Sequence, residues 1–337
     1  MSNRLVFSLL CAALIIFMGA SVIQGAVDIP LSTLWAVEGS REESLRYILL
    51  HIRLPRAVAA VLVGGSLALA GAAMQGLFRN PLVDPSIVGI MSGAALAVSL
   101  SIVLLPPALV ALLPFDADYV LPLSAFIGGW LSTSLLYALA RRNGQLHVAI
   151  MLLLGIALAA FTGALTGLLT YLADDQQIRS LTFWSMGSLA SFDWVKVAIL
   201  LTILCFAIPL LLKEARALNA MMLGEHIATH LGFDIKKSKS RLILMVALLS
   251  GVCVAFSGGI AFIGLVVPHI MRSIIGANHR LLLPASALCG GLLLLLADLF
   301  ARVIVAPAEL PIGIVTAIIG APFLAWLVWQ KTTKGIT

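Results

Sequence analysis

The sequence predicts an all-α polytopic membrane protein, and three observations carry that prediction. Nine stretches of 16 residues or more contain no Asp, Glu, Lys or Arg: 5–27, 57–78, 85–115, 119–140, 143–173, 197–212, 242–271, 281–297 and 310–330. A helix rises about 1.5 Å per residue, so roughly 20 apolar residues cross a hydrocarbon core of about 30 Å. Composition agrees: 61% of residues are hydrophobic, 11% are charged and the mean hydropathy is +1.10, whereas soluble domains carry about 25% charge. The third observation is the placement of basic residues, which obeys the positive-inside rule once the spans are counted.

That count turns on residues 242–271, which form one long helix or two short ones. If Ser257, Gly258 and Gly259 make a turn, there are ten spans with both termini cytoplasmic, and 14 Lys and Arg residues lie inside against 7 outside. Nine spans would divide them 11 against 10. Gly-Gly is also a helix breaker, because glycine loses the most backbone entropy there. The spans are therefore about 5–27, 57–78, 85–106, 119–140, 147–171, 194–212, 241–257, 260–276, 281–301 and 311–330, in a single transmembrane domain over 1–337. Strands are excluded, since they would be nearer ten residues long with alternating polarity.

Taken in order, the first span follows Arg4 as a signal peptide would, but its length and the spans behind it make it an uncleaved helix. An outer loop, 28–55, carries Asp28, Glu38, Arg41, Glu42, Glu43 and Arg46. The second span holds an i, i+4 ladder of Ala60, Gly64, Ala68, Ala72 and Gly76. The fifth holds two: Gly155, Ala159, Gly163 and Gly167, and beside it Thr162, Thr166 and Thr170. Small residues permit close helix approach, and threonine hydroxyls bond back to their own helix or face a wet cavity, so packing seam and path lining both fit. Phe183, Trp184, Phe192 and Trp194 read as an outer aromatic belt.

The inner loop 213–241 is dominated by Lys and Arg. Within it, residues 216–232 place Leu218, Met221, Met222, Ile227 and Leu231 among Glu225, His226 and His230, with Gly232 as C-cap. This is a short amphipathic helix that lies on lipid or docks a soluble partner.

Several functions are excluded by what is missing. No phosphate loop occurs, since no Gly-Lys pair exists in the chain. His226 and His230 sit at i, i+4 without the H-E-x-x-H order or a third ligand, and read as a solvated face. Cys11, Cys205, Cys253 and Cys289 lie in apolar runs and act as small hydrophobes. The net charge of +6 is scattered over loops rather than gathered in a stripe with aromatics, which argues against nucleic acid. An ion-coupled secondary transporter would need ionisable groups near mid-membrane. Only Asp298 approaches that depth, one turn from Arg302.

The segment His51 to Ala97, with R-L-P-R-A-V-A-A-V-L-V-G-G and F-R-N-P-L-V-D-P-S-I-V-G, resembles the FecCD/BtuC type of permease. F-I-G-L-V-V-P-H-I-M-R, H-R-L-L-L-P, L-A-D-L-F-A-R and E-L-P-I-G-I-V-T-A-I-I-G-A-P-F between Gly258 and Leu327 extend the resemblance, as does L-N-A-M-M-L-G-E. It implies a type II importer permease, not an enzyme, that works as a homodimer in the bacterial inner membrane. Two ATP-binding cassette ATPases would hydrolyse ATP on the cytoplasmic side, and a periplasmic binding protein would deliver cargo. No cofactor would be held permanently. By position, Arg53, Arg56 and Arg302 would dock the binding protein. Leu218, Met221, Met222, Leu223, Gly224, Glu225, Ile227 and Leu231 would couple to the ATPase. The fifth span would line the path, with His147, Val148 and Ala149 near its cytoplasmic gate, where the cobalamin importer has small hydroxylated residues instead. The F-W-S-M-G-S-L segment and the inner loop look most like haem permeases, so haem is the expected cargo, ahead of a ferric siderophore and cobalamin. His51 and His147 are candidate contacts to haem iron.

Overall fold

The computed structural model describes residues 2–25, 41–112, 114–142, 145–305 and 308–334, and helices dominate it. The first half comprises α1 (Asn3–Ile23), α2 (Arg41–Tyr47), α3 (Leu54–Leu77), α4 (Ile90–Leu104), α5 (Pro107–Val110), α6 (Val120–Ala140) and α7 (Val148–Leu172). The second comprises α8 (Asp175–Met186), α9 (Trp194–Lys213), α10 (Ala215–Met222), α11 (Glu225–His230), α12 (Ile235–Ser257), α13 (Ile263–Ile275), α14 (His279–Val303) and α15 (Ile312–Lys334). Among the described residues, seven helices are long and apolar enough to cross a membrane, counting Glu43–Leu77 and Trp194–Met222 as continuous. Ile90–Leu104, Ile263–Ile275 and Ile312–Leu327 are apolar but shorter. A two-residue antiparallel pair, β1 (Arg141–Arg142) against β2 (Gln145–Leu146), closes the link from α6 to α7.

The termini of these helices follow from their sequence. Asp174 and Gln177 form a reciprocal capping box on α8, while Asp193, Asp234 and Asn278 accept backbone N–H bonds at the starts of α9, α12 and α14. Proline lies inside α9, α13, α14 and α15, a placement that membrane helices tolerate because neighbours satisfy the freed carbonyls.

Helix α3 is the axis of the molecule. It packs on α14, α12 and α13, and it is itself rich in buried Ala and Gly. A Cβ at Gly64 would meet the Gly290 carbonyl and lie 2.6 Å from Leu294 Cβ, and one at Gly65 would lie 2.9 Å from the Ala287 carbonyl, so this crossing is possible only with glycine. A second cluster of α4, α6 and α7 joins the first through α12, which touches α3, α4, α6 and α9.

The break at Gly258 has a local cause. Gly258 adopts a left-handed φ of 67° after α12, and Ser188 N–H donates to the Ser257 carbonyl at 2.8 Å. The end of α8, the end of α12 and the start of α15 meet at this knuckle, where Ile312 N–H donates to Gly187 O.

Four expectations are corrected. The outer loop is shorter than 28–55: Asp28 and Glu38 lie outside the described residues, but from Arg41 the chain is helical, with a π-helical turn at Ile48–Arg53 leading into α3. The third predicted span begins at Ile90, because Pro85–Val88 forms a 3₁₀ turn that ends at left-handed Gly89. The amphipathic segment is two short helices, parted at Gly224 with a φ of 122°. Phe192 belongs to the core, 3% exposed and tilted against Phe256.

Candidate functional site

The lysine-rich end of the bundle is built around α10 and α11. Leu218 and Met221 are buried in the chain's own core, so they anchor α10 and do not reach a partner, a correction to their predicted contact role. Polar ties add to the anchor. Asn219 Oδ1 accepts from the His279 backbone N–H at 2.8 Å and meets its Nδ1 at 2.9 Å, and Glu214 accepts from Arg241 at 3.2 Å. These bonds fix α10 to the starts of α14 and α12.

Helix α11 has two faces. Met222, Leu223, Ile227 and Leu231 form an apolar stripe, 45%, 64%, 49% and 59% exposed, that nothing among the described residues covers. His226, Thr229 and His230 point the other way, into a groove. The helix ends in a Schellman motif: Gly232, with φ 88°, donates to Thr229 O, and Phe233 N–H donates to Ala228 O. Glu225 braces it from below through Lys239 Nζ at 2.6 Å and Arg79 at 3.7 Å, tying α11 to α12 and to the end of α3.

The groove encloses about 960 Å³ between the end of α3, the start of α7 and α11. The predicted gate residues His147, Val148 and Ala149 line it, together with His226, His230, Arg79, Lys236 and Lys239. Asp234 at its edge accepts from Lys237 N–H at 3.1 Å, and this bond holds its carboxyl below the usual range.

Along α7, the two ladders separate. Gly155 packs against the Ile87 carbonyl, whereas a Cβ at Gly163 or Gly167 would meet nothing within 4 Å, and Ala159 is exposed. Thr162 and Thr170 bond back to Leu158 O and Thr166 O, each at 2.8 Å, and Thr166 is half-buried. The glycine ladder of α7 is therefore open from Ala159 to Gly167.

At the opposite end, the three arginines predicted to form a basic rim are 5–6% exposed and hold partners in the chain. Arg56 contacts Asp298 Oδ1 through Nε at 3.0 Å and Nη2 at 2.9 Å, and Glu309 through Nη1 at 2.7 Å. Arg302 Nε lies 3.1 Å from Asp298 Oδ2, within ion-pair range but off hydrogen-bond alignment, while its Nη2 donates to Ser21 Oγ at 2.6 Å. Arg53 donates to the carbonyls of Val22 and Ile23, at 3.2 and 2.5 Å. Buried charges demand such pairing. Of the partners of these arginines, Glu309 is the one whose side chain reaches solvent, at 45% exposed.

Asp84 escaped the sequence reading, which found only Asp298 near mid-membrane. It lies on the turn between α3 and α4, beside a cavity of about 290 Å³ lined also by Leu67, Ser250 and Phe262. Asp84 Oδ1 accepts from Ser86 N–H at 2.9 Å. The signal was the D-P-S sequence, an Asp-Pro turn initiator inside an apolar run. Asn219 carries no comparable signal, since its partner lies 60 residues away.

The FecCD transport family profile matches residues 13–330. The hemin transport system permease protein HmuU of Yersinia pestis is 45% identical over 331 residues, which cover 97% of this chain and 96% of that one. The Fe(3+) dicitrate transport system permease protein FecD of Escherichia coli (strain K12) is 43% identical over 281 residues, covering 83% of this chain and 85% of that one. Among solved structures, a metal-chelate type ABC transporter in an inward-facing conformation matches with a TM-score of 0.84 at 32% identity, covering 97% of this chain and 99% of that one.

Proposed function

The chain belongs to the FecCD transport family, and from that premise we propose that it is a haem-carrying permease, paired as a homodimer in the bacterial inner membrane. All ten apolar helices cross the bilayer. Both termini and the lysine-rich end face the cytoplasm, as the positive-inside rule requires. The chain itself is a transport subunit of an ABC importer and has no phosphate loop, so ATP hydrolysis belongs to a partner.

One observation carries the coupling mechanism: the exposed stripe of Met222, Leu223, Ile227 and Leu231 sits on helices that are tied to α3, α12 and α14. An ATPase that grips this stripe moves the ends of three core helices at once. Force enters where apolar surface is unpartnered and leaves through ion pairs. The open face of α7 supplies the dimer seam and the wall of the path. A periplasmic binding protein docks at the arginine end, where its carboxylates compete with Glu309 for Arg56, while Arg53 and Arg302 hold the rim in shape.

Haem is the preferred cargo because the hemin permease shares 45% identity over nearly the full length of both chains. A ferric chelate is the second reading, supported by the dicitrate permease at 43%. Reconstitution with its cognate ATPase and binding protein decides between them: haem should stimulate ATP hydrolysis and enter vesicles. Uptake of a ferric siderophore in preference to haem rejects this cargo. Uptake by this chain alone under a proton or sodium gradient rejects the ABC mechanism.

A further inference from the structure

We propose that the groove at the lysine-rich end is a receiving site for an iron porphyrin, in which His147 or the His226–His230 face of α11 offers imidazole to the iron. The inference rests on the haem reading above and adds a place where the cargo pauses after the gate.

The lining fits a flat amphipathic dianion with an open axial position. Phe78, Val148, Ile150 and Phe233 supply apolar surface, and Lys236 supplies positive charge beside Arg79 and Lys239, which share Glu225. Glu225 and Asp234 also line the groove, but each is already engaged, Glu225 by Lys239 and Arg79 and Asp234 by Lys237. At about 960 Å³ the groove is at the upper end of small-molecule sites, roughly 300–1,000 Å³. Imidazole is the common protein ligand of haem iron, and one axial nitrogen is enough to hold it.

The same geometry argues against a bare ion. Among the described residues, no three His, Cys, Asp or Glu side chains converge closely enough to hold a metal. Iron would have to arrive with its equatorial positions already filled, as it does in a porphyrin.

The arrangement on α11 also separates binding from coupling. His226 and His230 face the groove, whereas Ile227 and Leu231 lie on the exposed stripe. Cargo on one face of this six-residue helix and an ATPase on the other would sense each other directly.

The test uses the complete permease–ATPase complex in lipid nanodiscs, titrated with hemin and read by Soret absorption, with empty nanodiscs subtracted. The expected result is saturable binding with the spectrum of histidine-ligated haem. His147→Ala or the double variant His226→Ala/His230→Ala should weaken it about tenfold, which is about 1.4 kcal/mol, with the spectrum recovered by added imidazole. Iron-free protoporphyrin should bind more weakly than hemin. Ile227→Asp should abolish cargo-stimulated ATP hydrolysis yet leave hemin binding intact. Absence of saturable binding, or binding indifferent to all three histidines, overturns the proposal. Haem uptake by the reconstituted transporter, measured in parallel, separates the two failures. Uptake without groove binding sinks only this inference, whereas siderophore uptake without haem uptake sinks the cargo reading beneath it.

Discussion

Helices α3 and α7 carry the same sequence signal and meet opposite fates. Each has small residues at i, i+4, yet 83% of the apolar window that includes α3 is buried and only 17% of that of α7. The difference lies in what surrounds the ladder. Around Gly64 and Ala68, α3 carries Ala59, Gly65, Ser66, Ala70, Gly71 and Ala73 on its other faces, interspersed with only a few large residues such as Leu62, Leu67 and Leu69, so helices can close on it from several sides. Helix α7 has Leu153, Ile156, Phe161 and Leu168 on its other faces, all more than half exposed, which suits lipid or a second copy. A ladder alone says that backbones can approach; the bulk of the remaining faces says whether they do.

Burial of α3 extends to its charges, and the largest effect is expected there. Arg56→Ala leaves Asp298, which has no exposed surface, with a single misaligned partner in Arg302. Stripping one member from a buried pair destabilises by about 3–5 kcal/mol. A large fall in the thermal unfolding midpoint of the purified subunit should follow, and Asp298→Asn should soften the loss when added to it. A midpoint within a degree or two of the parent would mean that water reaches this network. The N-terminal end of α3 would then be solvated rather than buried.

Gly64→Ala is next. The added methyl would collide with the Gly290 carbonyl and Leu294 Cβ, and overpacking of this kind costs about 1–3 kcal/mol. The substitution normally favours a helix, so destabilisation is diagnostic of the tight crossing with α14. Stabilisation would show that the two helices are free to separate.

How much of this was legible follows from the range of the interactions. The Gly258 break could be read because a positive φ is a local demand that glycine meets. Apolar length located the helices for the same reason. The burial of the three arginines was not legible because R-L-P-R and L-A-D-L-F-A-R give charge and side but not the partners, and Arg56 meets Asp298 across 242 residues. The coupling segment was half legible: its hydrophobic spacing marked Met222, Ile227 and Leu231, but could not tell these exposed residues from Leu218 and Met221, which the core consumes. Gly224 could have given the helix break away, had its place between two short apolar repeats been weighed against Gly232.

A smaller effect is expected at Glu309, where α3 meets solvent through Arg56. Because the Glu309 side chain is 45% exposed, its ion pair is screened and its loss should cost under about 1 kcal/mol in stability. Glu309→Gln should instead speed association of the binding protein at low salt, since it removes an anion from the rim and weakens its hold on Arg56. Slower association, or none of the salt dependence that charge steering requires, would remove Arg56 from the docking surface and leave it a structural residue.

The smallest change repeats the glycine test on the other ladder. At Gly163 an added Cβ meets nothing within 4 Å of this chain, so Gly163→Ala should stabilise the separated subunit by up to about 1 kcal/mol through the lower entropy of alanine in a helix. The sign for the assembled transporter depends on what lies against that face. If it lines a wet path, the gain persists in the dimer and transport is retained. If it is the seam between copies, the methyl forces the helices apart and the dimer dissociates at higher protein concentration than the parent. Unfolding midpoints and dimer dissociation measured on the same preparations distinguish the two. A loss of stability in the separated subunit would contradict the open face itself, and with it the contrast between α7 and α3.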